Sequence, residues 1–367
     1  MFLYISFSFE CKKVRGSGPV PIHNPSCFSL VWISDLESLF IIFVANPNTI
    51  MKTCVRLFAC LFMLSILESC TLKEKSNSQS VSKSSIKFES ESESEKDHLY
   101  ISNGIIKIGL DLSAGGSLFH FSEQKTGRNL INYYDKGRFI QQSYYGIEDG
   151  SNWNGQPWRW NPIQGGGYRG EATRISERKF KDNALYIKSV PKHWATGKDI
   201  IDAVMEQTVI LKEETAHIHY EFTYSGNIQH PAVHQELPAV FVDAALPNLV
   251  YYEGKTPWKG DSLTSCIPGW PNESKVSNEN WSAYTDAENW GIGVYTPGTS
   301  EITTYRFQGD GKEGPKGSAC SYFAPVRTFA ITPGIQFGYD VFITIGTVSQ
   351  IRARFYKIHE NEVRNSF

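Results

Sequence analysis

The chain has 367 residues, of which 41% are hydrophobic and 13% aromatic, with a formal net charge of −2. That is enough apolar material for one large domain or two small ones. The balanced charge, without runs of Lys and Arg interleaved with aromatics, argues against a nucleic-acid partner.

Residues 51–70 read MKTCVRLFACLFMLSILESC. Lys52 and Arg56 form a positive start, and Leu57 to Leu67 a short apolar run too brief to span a bilayer comfortably. The closing Leu67-Glu68-Ser69-Cys70 resembles a bacterial lipoprotein signal peptide with its lipobox, although Glu68 stands where a small residue is usual. The resemblance implies cleavage before Cys70, a lipid on its thiol and a bacterial cell-envelope location on the outer membrane or cell surface. On this reading Met51 is the true start and residues 1–50 are an over-extended segment of the reading frame. Residues 71–97 are rich in Ser, Glu and Lys and poor in apolar side chains, so they read as a flexible tether between membrane and domain.

From residue 98 to 367 the pattern is that of strands. Ile106, Ile108, Leu110 and Leu112 alternate with polar partners. Ala216, Ile218, Tyr220, Phe222 and Tyr224 do the same, as do Phe337, Tyr339, Val341, Ile343 and Ile345. Such alternation marks half-buried strands separated by turn signals. The β-branched tail of IIDAVMEQTVILKEE favours another strand, and NWSAYTDAENWGIGVYTPG a hairpin with an aromatic rim. Only SQIRARFYKIHENE has helical spacing, through Ile351, Phe355 and Ile358, with Ser349 as its cap. The expected fold is an all-β, large antiparallel β-sandwich with one short C-terminal helix. Cys266 and Cys320, the cysteines beyond the lipobox, are candidates for a disulfide in an exported protein.

The segment ISNGIIKIGLDLSAGGSLFHFSEQKTGRNLINYYDKGRFIQQSYYG has a recognisable order. An Asn-Gly start leads to a strand, a glycine corner and a second strand. A loop with Gly127, Arg128 and Asn129 comes next, followed by Asp135, Gly137 and Arg138. With the later MEQTVILKEETAHIHYEFTYSG, it resembles the galactose-mutarotase-like supersandwich over residues 98–348. That resemblance implies a sugar epimerase, or a domain of a glycoside hydrolase or polysaccharide lyase, with oligo- or polysaccharide as partner. In the mutarotases a histidine and a late glutamate serve as acid and base. His234 and Glu236 are chemically similar groups here, though their positions do not align with the family's own motif. Fold alone does not fix the reaction.

Two constellations bear on chemistry. GIEDGSNWNGQPWRWNPIQGGGY, from Gly146 to Tyr168, carries three tryptophans and three asparagines. Trp153, Trp158 and Trp160 suit the apolar faces of sugar rings, and amides such as Asn154 suit their hydroxyl rims. The same residues also fit a long loop pinned to the sandwich by its own tryptophans. In HPAVHQELPAVF, the even spacing of His230, His234 and Glu236 puts them on one face of a strand, for acid/base work or ligand contact. Ordinary polar residues at a strand end fit as well. No third ligand of suitable spacing accompanies them, so no metal site is expected. Arg138 reads either as a clamp for hydroxyls or as a partner of Asp135. Glu148 and Asp149 are possible partner carboxylates for Glu236. The absence of Walker, dinucleotide-binding, HExxH and GxSxG motifs removes the familiar nucleotide enzymes, zinc proteases and serine hydrolases, and no cofactor is expected.

Overall fold

In this computed structural model the described residues are 28–34, 37–43, 87–89 and 97–365, without position 182. The chain divides into two units, Met1–Val81 and Ser82–Phe367. In the first, Phe28–Ser34 and Glu37–Phe43 pair as an antiparallel hairpin. The expected signal segment, Cys70 and most of the tether fall outside the described residues.

The second unit is a sandwich of two antiparallel sheets. The larger, 11-stranded sheet runs through neighbours Glu301–Phe307, Cys320–Phe329, Val233–Asp243, Ile140–Ser143 and Ser117–Glu123. Its far edge ends with His98–Ser102 and Lys87–Glu89, the latter drawn from the segment read as tether. The second sheet has nine strands, with Ala203–Lys212, Thr215–Tyr224, Gln336–Thr347 and Trp290–Tyr295 at its centre.

One apolar core joins the two. Ile108, Leu110, Val240 and Phe323 come from the first sheet and Met205, Ile218, Phe222 and Val341 from the second. The predicted alternation is visible in the burial. Ala216, Ile218, Tyr220, Phe222 and Tyr224 are all buried, and the side chains between them are half-buried. Period-2 alternation presents one face to the core and the other to solvent.

The C-terminal helix spans Val348–Asn365 and buries Ile351 and Phe355 against Trp281 and Tyr295 of the predicted hairpin. Its cap is Thr347 rather than Ser349. The Gln350 amide donates to Thr347 Oγ1 (3.4 Å), while the Thr347 amide donates to Gln350 Oε1 (2.9 Å), a reciprocal capping box. Arg352 reaches back to the fully buried Glu279 at 2.9 Å, which fastens the helix to the sheet. Cys266 and Cys320 are both free thiols, so the candidate disulfide is absent.

Candidate functional site

Alternation places Phe241 on the face of its strand opposite the core residues Val240 and Val242. Register then sets Phe241 against Tyr322 and Tyr322 against Tyr305 on the next strand. The result is a row of cross-strand aromatics on the outer face of the larger sheet, with ring centroids at 4.6 Å for Phe241–Tyr322 and 4.4 Å for Tyr305–Tyr322. Such pairs are the unit of sheet stabilisation. Here they also leave an apolar floor facing away from the core. Above it lies a cleft of about 600 Å³.

The wall on one side is built by Glu148–Trp153 and Gln156–Arg159, which form a two-stranded ribbon outside both sheets. Asn154 and Gly155 join them, both with positive φ (52° and 76°). This is the Asn-Gly turn whose twist matches a tight hairpin. The ribbon holds Trp153 and Trp158 edge-to-face at 4.8 Å, and Trp153 meets Trp194 at 5.9 Å. Trp194 lies over Gly137, where a Cβ would come within 2.5 Å of the indole, so only glycine admits this packing. His193 Nε2 and Asp149 Oδ2, 2.7 Å apart, tie the ribbon down. At the other side of the cleft Trp270 stands 60% exposed, braced edge-on by Tyr305 at 4.8 Å and by Phe307 at 5.1 Å.

Glu236 enters from the middle of the sheet. It pairs with Val326 on one side and Ser143 on the other, immediately before a break in register. Pro238, with no N–H to give the ladder, lies in that break, and such irregularities re-aim side chains. Tyr322 donates to Glu236 Oε1 at 2.6 Å and Tyr145 donates to the same oxygen at 3.0 Å. Burial raises the pKa of the Glu236 carboxyl, and the bonds from Tyr322, Ser143 and Tyr145 offset only part of that rise. Burial and the neighbouring carboxylate push Tyr322 and Tyr145 well above the ordinary phenol value, so both remain donors. The arrangement can hold and exchange one proton at a carboxyl in an aromatic cleft.

The sequence-predicted residues divide between cleft and scaffold. Glu236, Trp153, Trp158, Asn154 and Arg138 all line the cleft. His234 and Glu236 lie two residues apart on Val233–Asp243 with the buried Gln235 between them, but His230 precedes the strand and so does not join their row. His234 is exposed on the strand and does not line the cleft. His230 is buried and stacked on Trp160 at 3.9 Å, and Trp160 belongs to the core. His230 and Trp160 therefore pack against each other in the sandwich and are not among the residues lining the cleft. Arg138 is no free clamp either. It donates to Asn132 Oδ1 at 2.9 Å and to the Ser318 carbonyl at 2.8 Å, with Asp135 at 3.7 Å. Asp149 is taken by His193 and Glu148 is exposed, so neither is Glu236's partner in the cleft. The second lining carboxylate is Asp135. Its Oδ1 accepts the Gly137 amide at 2.8 Å.

Sequence reasoning missed Trp194, Trp270, Tyr305 and Tyr322 as cleft residues. They lie far apart in the chain and meet only through strand register. The Asn154-Gly155 turn, by contrast, was a readable hairpin signal. Among the described residues no group of His, Cys, Asp or Glu is arranged to hold a metal ion.

No family model matches the chain, and no curated protein matches it. Among solved structures it is similar to a galactose mutarotase-like protein from Lactobacillus casei ATCC 334, with 10% identity and a TM-score of 0.46 over 68% of this chain and 99% of that one. It is similar also to a galactose mutarotase related enzyme from Lactobacillus acidophilus, with 10% identity and a TM-score of 0.45 over 68% and 97%. A galactose mutarotase-like protein from Clostridium acetobutylicum shares 10% identity, with a TM-score of 0.44 over 72% and 99%.

Proposed function

We propose that the protein acts on carbohydrate as a sugar-active enzyme of the glycoside hydrolase kind, with Glu236 as its acid. The observation that carries this reading is a carboxyl of raised pKa inside a cleft walled by tryptophans. Sugar rings offer apolar C–H faces to Trp153 and Trp158 and hydroxyls to amides such as Asn154. Tyr145 and Tyr322 both occupy Oε1, so proton exchange with a ligand falls to Oε2. Glu236 gives its proton to the leaving oxygen as the glycosidic C–O bond breaks. Water attacks the anomeric carbon and passes a proton to Asp135, the other carboxylate in the cleft lining.

A second reading, a glycan-binding protein without turnover, is favoured by one observation. Both oxygens of Asp135 are engaged, one by the Gly137 amide and one by Arg138. A panel of glycans offered to residues 87–367, read for binding and for released product, separates the two. Hydrolysis predicts product from the unaltered protein, its loss in Glu236→Gln with binding kept, and about tenfold weaker binding in Trp158→Ala. Binding of a glycan without release of product would support the second reading, and failure to bind any glycan would contradict both.

The chain is further proposed to be held at a bacterial cell envelope by a lipid on Cys70. Mass spectrometry of the protein from its native host predicts a lipid-bearing N-terminal cysteine. An intact N-terminus with an unmodified thiol would refute this.

A further inference from the structure

The carbohydrate reading leaves open what kind of saccharide fills the cleft, and the geometry of its rim bears on that. Trp270 is a large apolar side chain left 60% exposed. It is nonetheless held in place, edge-on to Tyr305 (89° between planes) and tilted against Phe307 (53°). A braced, exposed indole presents a ready plate at little further cost in side-chain entropy. Trp270 belongs to the segment before Glu273–Val276, at the edge of the larger sheet, whereas Trp153 and Trp158 belong to the ribbon after Ile140–Ser143. The cleft therefore has two aromatic plates from separate elements, with Glu236 also in its lining.

Charge narrows the choice further. Asp135, Arg138 and Glu236 are the charged side chains lining the cleft among the described residues. Arg138 is 7% exposed, and its guanidinium is already engaged by Asn132, the Gly317 and Ser318 carbonyls and Asp135. Among the described residues lining the cleft, no cation is left to receive a uronate, sulfate or sialate group.

Resting on the carbohydrate reading, we infer that the cleft takes a neutral oligosaccharide of more than one ring. Trp270 is a second stacking platform for a ring distant from the one on Trp153 and Trp158. One plate per ring predicts that affinity grows with chain length until Trp270 is covered.

The test is calorimetric titration of the unaltered protein, Trp270→Ala and Trp158→Ala. The probes are neutral β-glucan, β-mannan and xylan series from mono- to hexasaccharide, with oligogalacturonate as the charged arm. The expected result is tighter binding of longer neutral chains. Trp270→Ala should lose about tenfold for these and nothing for the monosaccharide, Trp158→Ala should lose affinity at every length, and oligogalacturonate should not bind. Because Trp270 is exposed, its removal leaves the core intact, and an unchanged melting temperature confirms that the variant is folded. Length-independent binding, an equal loss in Trp270→Ala at all lengths, or preferred binding of oligogalacturonate would overturn the inference while leaving the carbohydrate reading standing. Absence of binding to every series would bring down both.

Discussion

Glu236 sits in mid-sheet with two tyrosine hydroxyls on one of its oxygens, and burial holds its proton to higher pH than an unfolded chain would. Between the ordinary glutamate value and the raised one, the native state binds a proton that the unfolded state has released. Stability therefore falls as pH rises through that window, and it is fully present below it. Glu236→Gln removes the titration while keeping the shape. It is expected to melt with the unaltered protein at acid pH and above it near neutrality, with the difference opening across the window. Thermal melts over a pH series would show this, and parallel curves for the two proteins would mean that the carboxyl is not strained by burial. The residue was legible in the sequence as a glutamate among histidines beside prolines. Its partners were not, since Tyr145 and Tyr322 meet it only through the pairing of three strands.

At the scale of elements, the ribbon Glu148–Trp153 and Gln156–Arg159 carries the tryptophan wall without belonging to either sheet. Gly155 at φ 76° suits its tight turn, and a Cβ there costs about 1–2 kcal/mol. Gly155→Ala is expected to weaken glycan binding several-fold while leaving the melting temperature nearly unchanged, because the ribbon is largely exposed. A large fall in melting temperature would show instead that the ribbon supports the core. Arg352 makes the opposite case. Its removal takes the cation from the fully buried Glu279, to which the Trp258 amide, Trp281 Nε1 and the Tyr356 hydroxyl still donate, so Arg352→Ala should cost about 3 kcal/mol in chemical denaturation, the low end for a broken buried pair. A loss below about 1 kcal/mol would mean that the ion pair adds little to the helix's other anchors, Ile351 and Phe355 among them. Strands such as Thr215–Tyr224 were readable because one face meets the core and the other water, which writes a period of two into the sequence. The three tryptophans of the ribbon region were readable as a group but not as individuals. Trp158 faces the cleft and Trp160 turns into the core, because the second ribbon strand ends at Arg159.

For the whole molecule, two antiparallel sheets close one core and leave the outer face of the larger sheet to be roofed by other elements. Period-2 alternation foretold the sandwich. It could not foretell the cleft, because a side chain turned away from the core looks the same in sequence whether it meets solvent or an aromatic wall. Tyr305, Tyr322 and Phe241 read as ordinary strand aromatics until register lines them up. The opposite edge of the second sheet carries Arg174, Arg178, Lys179 and Lys181 on Arg174–Lys181, a charged border that discourages edge-to-edge pairing. The proposed functional face lies on the outside of the larger sheet, where the cleft, its aromatic plates and the carboxyl of Glu236 coincide. A crystal structure of Glu236→Gln soaked with the best-bound neutral oligosaccharide tests this directly. The account predicts a sugar ring stacked on Trp158 and Trp153 with a glycosidic oxygen within hydrogen-bonding reach of residue 236. Density for the saccharide elsewhere on the molecule, with the cleft empty, would contradict it.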